Sequence, residues 1–236
     1  MTGKKAPPKT NKLKNPRGLQ KKVRVKTRKQ RSISSSKWLQ RQLNDPYVTA
    51  AKMEGYRSRA AFKLIQMDDD LQLLKPGHKV VDLGAAPGGW TQICVSRINP
   101  EKTKGCVVAI DYLSMPEVPG AQFICLDFMD SKAPDLLKAA IGGRADLVLS
   151  DMAPPTIGHK GTDHLRIMAL AEAAYEFARE VLVPGGTFLS KVFMGGTEKD
   201  LLNQLKKDFV KIRHVKPHAS RADSSEMYVV ALGFRG

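Results

Sequence analysis

Short apolar runs alternate with amphipathic stretches from residue 78 to the end of the chain. The apolar runs predict seven strands, at 78–84, 106–112, 122–128, 145–152, 186–193, 210–217 and 226–234. Stretches with a helical period predict four helices between them, at 88–98, 135–141, 164–182 and 198–208. Apolar strands separated by helices build parallel sheets that are covered on both faces. The pattern therefore predicts an α/β fold with a doubly wound, mostly parallel seven-stranded sheet. The final strand is expected to be antiparallel, because no helix separates the last two.

Two further helices are predicted before the first strand, at 37–48 and 56–74, and Ser58 is a candidate N-cap of the second. Residues 1–36 are rich in Lys, Pro and Ser and contain too few apolar side chains to fold alone. The chain is therefore expected to consist of a disordered basic tail, 1–36, and one folded domain, 37–236.

The positive charge of the chain is concentrated at its N-terminus. The formal net charge is +16, and residues 1–41 hold fifteen Lys and Arg without any Asp or Glu. Residues 42–236 hold the other 24 Lys and Arg together with all 23 acids, so the folded part is nearly neutral. An acid-free cationic arm favours contact with nucleic acid phosphates. The alternative is a solvated tail that only improves solubility.

Hydropathy and cysteine usage favour a cytoplasmic protein without a membrane span. No apolar run approaches the ~18 residues that a span requires, and no apolar run follows the basic N-terminus as in a secretory signal. An organellar transit peptide is a weaker alternative. Three scattered cysteines indicate a reducing compartment, and the histidines lack metal-ligand spacing, so no metal is expected. No exposed apolar strip stands out, which favours a monomer.

A glycine-rich turn follows the first predicted strand, with the sequence DLGAAPGGW at 82–90. Small residues allow a ligand to approach the backbone closely, and the following helix offers free N–H groups at its start. Asp82, Asp111 and Asp127 stand at three successive strand ends, where carboxylates can bind nucleoside hydroxyl or amino groups. Each acid alone is more often a turn or cap residue. Together they favour a nucleoside cofactor, and the absence of GxGxxG and GxxxxGK[ST] argues against a dinucleotide or a P-loop.

Four separated motifs resemble those of one family. They are YRSRAAFKL (56–64), DLGAAPGGW (82–90), SDMAP (150–154) and SKVF (190–193). In this order they resemble the FtsJ/RrmJ family, whose members methylate ribose 2′-hydroxyls of bacterial large-subunit ribosomal RNA. The resemblance extends over about residues 37–236. It implies the class I methyltransferase fold, which is Rossmann-like, S-adenosyl-L-methionine as cofactor, and a uridine in the 23S rRNA of the large (50S) subunit as target.

The resemblance also implies which residues form the site. The cofactor contacts of the family would fall on Gly88, Trp90, Asp111, Asp127 and Asp151. Its catalytic tetrad of Lys, Asp, Lys and Glu would fall on Lys63, Asp151, Lys191 and Glu226. Met227 and Ser190 are small departures from the expected neighbours.

An alcohol is a weak nucleophile until it loses its proton, so methyl transfer to a hydroxyl needs a base and close positioning. Lys191, within an apolar strand, is the candidate base. An ordinary lysine stays protonated up to pH ~10.4, and burial and a second cation such as Lys63 would favour its neutral form. Asp151 and Glu226 would favour the ammonium, so the four groups are expected to titrate together. Taken alone, each has a commoner structural role on a surface or at a cap.

Binding of RNA requires contacts beyond the tetrad. Lys52, Arg57 and Arg59 are candidates for phosphate contacts, and Trp38 and Tyr56 for base stacking. Helix packing is the alternative for both aromatics, and for Trp38 it is favoured at least as much. Three alternatives remain open: a nicotinamide-dependent oxidoreductase, a ribosome-assembly factor without activity, and the same chemistry on tRNA.

Overall fold

A computed structural model describes residues 33–154, 158–193, 199–221 and 224–236. Within these ranges the helices are α1 Ile33–Leu43, α2 Pro46–Met53, α3 Ala61–Leu71, α4 Gly89–Ile98, α5 Ala133–Ile141, α6 Lys160–Val181 and α7 Lys199–Asp208. The strands are β1 Lys79–Leu83, β2 Cys106–Asp111, β3 Gln122–Cys125, β4 Ala145–Ser150, β5 Leu182–Phe193, β6 Phe209–Val215 and β7 Glu226–Phe234. Each strand predicted from the apolar runs is present.

The seven strands form one sheet in the order β3-β2-β1-β4-β5-β7-β6. Strands β1 to β5 are parallel, and β7 pairs antiparallel with both β5 and β6. The predicted mostly parallel sheet with an antiparallel final strand is therefore confirmed. The strand order reverses between β1 and β4, and in open α/β sheets ligands bind in the crevice at such a point, beyond the carboxyl ends of the strands.

Helices cover both faces of the sheet, as in a doubly wound fold. On one face α5, α6 and α7 bury a cluster that includes Leu137, Tyr175 and Leu205. On the other face α3 and α4 bury a second cluster that includes Leu64 and Ile93. Because both faces are covered, the central strands are buried along nearly their whole length. Among the helices that the structure describes, none is long and apolar enough to cross a membrane.

The N-terminal helical region departs from the prediction. The predicted helix at 37–48 is two helices, because Pro46 cannot continue α1 and instead occupies the first turn of α2. Asp45 caps α2 by accepting a hydrogen bond from the amide of Tyr47 at 3.0 Å. Helix α1 begins at Ile33, before the predicted domain start at 37. The tail up to residue 32 and the side chain of Trp38 lie outside the described residues.

Helix α3 begins at Ala61, five residues later than predicted, and Ser58 does not cap it. The N-cap position is occupied by Ala60, which has no side-chain capping bond. Before the helix, the backbone amide of Arg57 donates to the Gln92 side chain at 2.9 Å. Local bonds from the amides of Ala61 and Phe62 to the carbonyls of Ser58 and Arg59 form the turn that leads into α3.

Candidate active site

A pocket of about 650 Å³ opens at the carboxyl ends of the parallel strands, beside the point where the strand order reverses. Its walls come from the loops after β1, β2, β3 and β4 and from one face of α6. The lining residues are Gly84, Ala86, Ile110, Asp111, Tyr112, Leu113, Asp127, Phe128, Met129, Asp151, Met152, Ala153, Pro154, Arg166, Ala169 and Leu170. This size is in the usual range for small-molecule sites.

The glycine-rich turn forms the floor of this pocket, and its glycines are required by close approach. Gly84 has a φ of +77°, and a Cβ there would lie 2.7 Å from the Met152 side chain and 2.9 Å from its Cα. Gly88 has a φ of +101°, and its Cβ would lie 2.8 Å from the Arg57 guanidinium. Larger residues at either position would clash with the loop after β4 or with Arg57, in a backbone conformation that glycine adopts freely.

Asp111 joins two loops of the pocket. One carboxylate oxygen accepts the amide of Ala86 at 2.9 Å, and the other accepts the amide of Leu113 at 2.8 Å. Asp127 lies two residues beyond the end of β3 and accepts the amide of Met129 at 2.9 Å. Both acids therefore perform the turn role that is commonest for them. An ionised carboxylate has about four acceptor positions, so capacity remains for a bound ligand.

Of the five residues implied for cofactor binding, Asp111, Asp127 and Asp151 line the pocket, whereas Gly88 and Trp90 do not. The indole of Trp90 is 3% exposed, and its Nε1 donates to the carbonyl of Ala60 at 2.8 Å. The ring packs against Tyr228, with centroids 5.6 Å apart. The side chain of Trp90 thus faces the core and not the pocket.

The four residues of the implied tetrad come together, and a fifth residue connects them. The Lys191 amine lies 2.8 Å from Asp151 Oδ1 and donates to the Asp151 carbonyl, also at 2.8 Å. Tyr228 donates its hydroxyl hydrogen to Asp151 Oδ1 at 2.6 Å and accepts from Lys63 Nζ at 3.0 Å. Lys63 also pairs with Glu226 at 3.2 Å. The result is one continuous chain of hydrogen bonds, Lys191–Asp151–Tyr228–Lys63–Glu226.

Strand register explains why Tyr228 belongs to this chain. In the antiparallel pair of β5 and β7, Lys191 lies directly opposite Tyr228, and Phe193 lies opposite Glu226. Residues two apart on a strand point to the same face, so Tyr228 and Glu226 both face Lys63 on α3. The sequence argument missed Tyr228. The available signal was its period-two spacing from Glu226.

The tetrad lies in a poorly solvated place. Lys63 and Lys191 are 7% and 6% exposed, and Tyr228 is fully buried. Burial acts to raise the pKa of Asp151, but the ammonium groups of Lys191 and Lys63, with hydrogen bonds from Lys191 and Tyr228, outweigh it and hold that pKa below its usual range. Burial, and then the charge of Asp151, raise the pKa of Tyr228 well above its usual value. The Asp151 carboxylate therefore stays ionised while the Tyr228 hydroxyl keeps its proton.

Asp82, one of the three acids predicted at strand ends, lies inside β1 and is fully buried. One of its oxygens accepts from the Thr91 hydroxyl at 2.7 Å, and the other has no hydrogen-bond partner among the described residues. Burial raises the pKa of Asp82 to about 7, against the opposing effect of the Thr91 hydrogen bond. The charges of Asp151 and Asp111 raise it further. Asp82 therefore joins β1 to the first turn of α4 through Thr91, and it does not line the pocket.

The structure gives Arg57 a different place from the expected phosphate contact. Its guanidinium donates to the carbonyls of Pro87 at 3.4 Å, Pro116 at 2.6 Å and Glu117 at 2.5 Å. Arg57 therefore ties the glycine-rich turn to the loop after β2. Tyr56 packs edge-on against Phe62, with ring centroids 5.6 Å apart. This contact is the core packing that was the alternative to base stacking.

The pocket fits a nucleoside cofactor in shape and donor set. Apolar side chains such as Ile110, Phe128 and Met129 suit a flat base, and the carboxylates of Asp111 and Asp127 suit hydroxyl and amino groups. At its inner end, Asp151 connects the pocket to Lys191. Within the described residues, no group of three or more His, Cys, Asp or Glu is arranged to hold a metal ion.

Comparisons with known proteins point to one family. The profile of the FtsJ-like methyltransferases matches residues 56–234. A protein of Azorhizobium caulinodans named ribosomal RNA large subunit methyltransferase E is 60% identical over 215 residues, covering 91% of this chain and 90% of that protein. A protein of the same name from Paramagnetospirillum magneticum is 62% identical over 216 residues, covering 91% and 88% of the two chains.

A solved structure gives the same result. The crystal structure of a protein from Plasmodium falciparum, described as a ribosomal RNA methyltransferase, has 30% sequence identity and a TM-score of 0.68. The alignment covers 77% of this chain and 100% of that one. Because the profile match alone extends over well more than half of the sequence, this chain belongs to the FtsJ-like methyltransferase family.

Proposed function

We propose that this methyltransferase transfers a methyl group from S-adenosyl-L-methionine to the 2′-hydroxyl of a ribose, on a uridine in 23S rRNA of the large (50S) ribosomal subunit. The observation that carries the proposal is the position of the Lys191–Asp151 pair, which lies at the inner end of the pocket and joins it to Lys63 and Glu226. The names of the relatives support a large-subunit rRNA target. Membership of a methyltransferase family removes the oxidoreductase alternative.

The cofactor, when bound, supplies a methyl group that its sulfonium already makes electrophilic. What the chain must contribute is the nucleophile and its alignment. Asp111 and Asp127 would hold the nucleoside part, with the backbone of the turn from Gly84 to Gly88 beneath it. Asp151 stands where the pocket meets Lys191. These residues would present the methyl group to the side of the site that Lys63 and Glu226 occupy.

Lys191 is the proposed base. Two of the three hydrogen-bonding directions of its amine are directed to Asp151, one to the carbonyl and one to Oδ1. In the neutral amine, the third direction is a lone pair that can accept the 2′-hydroxyl proton, which leaves the ribose oxygen as the nucleophile. The Asp151 carboxylate fixes the amine and stabilises the ammonium that results. Once the proton is on Lys191, the ammonium and Lys63 hold the pKa of Asp151 low, so the proton stays on the amine.

Lys63 is proposed to stabilise the negative charge that develops on the ribose oxygen. Its ammonium is buried and is fixed between the Tyr228 hydroxyl and the Glu226 carboxylate. A cation that is held in place before the reaction stabilises a developing charge without reorganisation. Glu226 is more exposed, at 28% of its side chain, and can accept a hydrogen bond from a neighbouring ribose hydroxyl.

The basic segment 1–32 is proposed as a second RNA contact. Its thirteen Lys and Arg without an acid suit a polyanion, whereas the rest of the chain is nearly neutral. We also propose that the enzyme acts as a monomer in the bacterial cytoplasm, where its substrate is assembled.

The test is transfer of labelled methyl groups to three substrates: unmethylated large ribosomal subunits, naked rRNA and bulk tRNA. Digestion to nucleosides then identifies the modified residue. The proposal expects label in subunits or rRNA, recovered as 2′-O-methyluridine. Label in tRNA alone would keep the chemistry and replace the substrate. Cofactor binding without label in any RNA would favour an assembly factor that has no activity.

A further inference from the structure

A second pocket, of about 360 Å³, opens on the other side of the tetrad from the cofactor pocket. It lies where α1, the start of α3 and the segment before β7 meet. Its lining residues are Arg41, Gln42, Arg59, Ala60, Lys63, Arg221, Ser224 and Glu226. Lys63 and Glu226 belong to both the tetrad and this pocket, so a ligand bound here is adjacent to the site of methyl transfer.

The lining of this pocket is strongly cationic. Three arginines and Lys63 face it, against the single carboxylate of Glu226. The folded part of the chain is nearly neutral as a whole, so this excess of positive charge is local. Guanidinium groups present a rigid fork of donors that matches the oxygens of a phosphate. The chemistry of the lining therefore suits an anion with several oxygens.

Two of the arginines are held in position by a carboxylate that does not itself line the pocket. The Asp45 carboxylate, 8% exposed, lies 3.0 Å from the Arg59 guanidinium and 3.6 Å from that of Arg221. The Arg59 guanidinium also donates to the carbonyl of Ala219. One buried carboxylate thus holds two cations side by side before any ligand arrives. Preorganised donors of this kind lose less side-chain entropy when they bind.

The surroundings of Arg59 disfavour its charged form. Burial lowers the pKa of Arg59, the Asp45 carboxylate raises it, and the neighbouring Arg221 lowers it again. The shift as a whole is downward. An anion in the pocket would offset both the burial and the repulsion between the two guanidiniums.

We propose that this pocket binds a backbone phosphate of the RNA strand that carries the target ribose, at a nucleotide adjacent to it. The proposal rests on the proposed function in one respect, because it takes the ligand to be RNA. A phosphate held by Arg41, Arg59 and Arg221 would fix the strand on one side of the ribose while Lys63 and Glu226 contact the ribose itself. The pocket would then select a polynucleotide over a free nucleoside.

The test compares Arg221→Gln with Arg235→Gln. Both remove one positive charge, but Arg235 follows the last residue of β7, at the opposite end of that strand from Glu226. The probe is a fluorescent mixed-sequence single-stranded RNA of ten nucleotides, measured by anisotropy over a range of KCl concentrations. Removing one guanidinium from the pocket should weaken binding about tenfold at low salt. It should also lower the slope of log affinity against log salt by about 0.7.

The proposal expects these changes for Arg221→Gln and Arg41→Gln, and wild-type behaviour for Arg235→Gln. Arg221→Lys keeps the charge but loses the guanidinium fork, so it should keep the wild-type salt slope and bind RNA more weakly than wild type. A methylphosphonate version of the probe, which lacks the backbone charge, should bind wild type and Arg221→Gln alike. Equal decreases in affinity for Arg221→Gln and Arg235→Gln would show a general charge effect and would overturn the pocket. Unchanged RNA binding by both Arg221→Gln and Arg41→Gln would also overturn the pocket, once thermal unfolding has shown that both variants are folded.

The experiments distinguish a wrong phosphate-site proposal from a wrong proposed function. If wild type methylates rRNA but Arg221→Gln matches it in RNA affinity, salt slope and KM, the function stands and the pocket is overturned. If no RNA is methylated but the pocket variants bind RNA more weakly as expected, the phosphate site stands and the function is replaced.

Discussion

Lys191 and Tyr228 lie directly opposite each other on antiparallel strands and bind the same oxygen, Oδ1 of Asp151. The Lys191 amine is 2.8 Å from it and the Tyr228 hydroxyl 2.6 Å. The Tyr228 hydroxyl also accepts a hydrogen bond from Lys63. A neutral hydroxyl thus links the Lys191–Asp151 pair to Lys63. The pairing depends on strand register, because a slip of one residue would turn Tyr228 to the other face of the sheet.

Replacing Tyr228 with Phe should lower kcat about tenfold, with little change in cofactor affinity. Hydrogen bonds to charged groups contribute about 1.5–3 kcal/mol, and this change removes one from Asp151 and one from Lys63. The ring would still pack against Trp90. The removal of one donor to Asp151 should also raise the pKa of that carboxyl, so kcat should decline at a higher pH on the acid side. Single-turnover rates between pH 5 and 9 measure both effects, and an unchanged profile would show that Tyr228 only fills space.

Replacing Asp82 with Asn should stabilise the protein at pH 8 and much less at pH 5. The folded-state pKa is raised to about 7 by burial, whereas an unfolded Asp titrates near ~3.9. The folded state therefore binds an extra proton between these values, so stability is highest below about pH 4 and falls as the pH rises towards 7. The full effect is about 4 kcal/mol at most, from ~1.4 kcal/mol per unit of pKa.

Urea unfolding of Asp82→Asn and wild type at pH 5 and pH 8 measures this difference. The exposed Asp70, changed to Asn, is the matched control and should show no comparable pH dependence. A stability difference between Asp82→Asn and wild type that is the same at both pH values would contradict the raised pKa.

Replacing Arg57 with Gln should weaken cofactor binding about tenfold and leave the salt dependence of RNA binding unchanged. The guanidinium connects three carbonyls in two loops, and the shorter, neutral amide of Gln cannot reproduce that geometry. Calorimetry with S-adenosylhomocysteine measures the first effect, and RNA anisotropy over a salt range measures the second. A lower salt slope with unchanged cofactor affinity would restore the phosphate role suggested by sequence.

Removing residues 1–32 should weaken RNA binding and flatten its salt dependence while cofactor affinity stays the same. This boundary keeps α1 intact, since the helix begins at Ile33. The removed segment carries most of the N-terminal positive charge, and every phosphate that is no longer neutralised lowers the slope of log affinity against log salt by about 0.7–0.9. An unchanged slope would mean that the segment acts only as a soluble extension.

The strands and their parallel order follow from sequence because buried parallel strands require uninterrupted apolar runs, as in Val80 and Val81 of β1. The meeting of Lys63, Asp151, Lys191 and Glu226 was implied by family motifs. Local patterns could not have shown it, since the residues lie on four separate elements. Tyr228 was missed because the pairing of β5 with β7 is set by tertiary packing.

The predictions for Ser58 and Arg57 met the same limit of local sequence patterns. A serine before an amphipathic stretch predicts a cap, and an arginine near a proposed RNA site predicts a phosphate contact. Arg57 binds partners far away in sequence, Gln92 through its backbone amide and the carbonyls of Pro116 and Glu117 through its guanidinium, whereas the Ser58 hydroxyl is buried without a hydrogen-bond partner among the described residues. Sequence gives the charge and hydrogen-bonding capacity of such side chains but not the partners that satisfy them.

The most direct measurement is single-turnover methyl transfer to unmethylated large ribosomal subunits by wild type and by Lys191→Met, an apolar replacement of similar length. S-adenosylhomocysteine affinity, measured on the same preparations, is the control for an intact cofactor pocket. If Lys191 is the base, the variant should bind the cofactor normally and form 2′-O-methyl nucleoside at least ~10²-fold more slowly. Equal rates in the two proteins would contradict the account, because the hydroxyl proton would then leave by a route that does not involve Lys191.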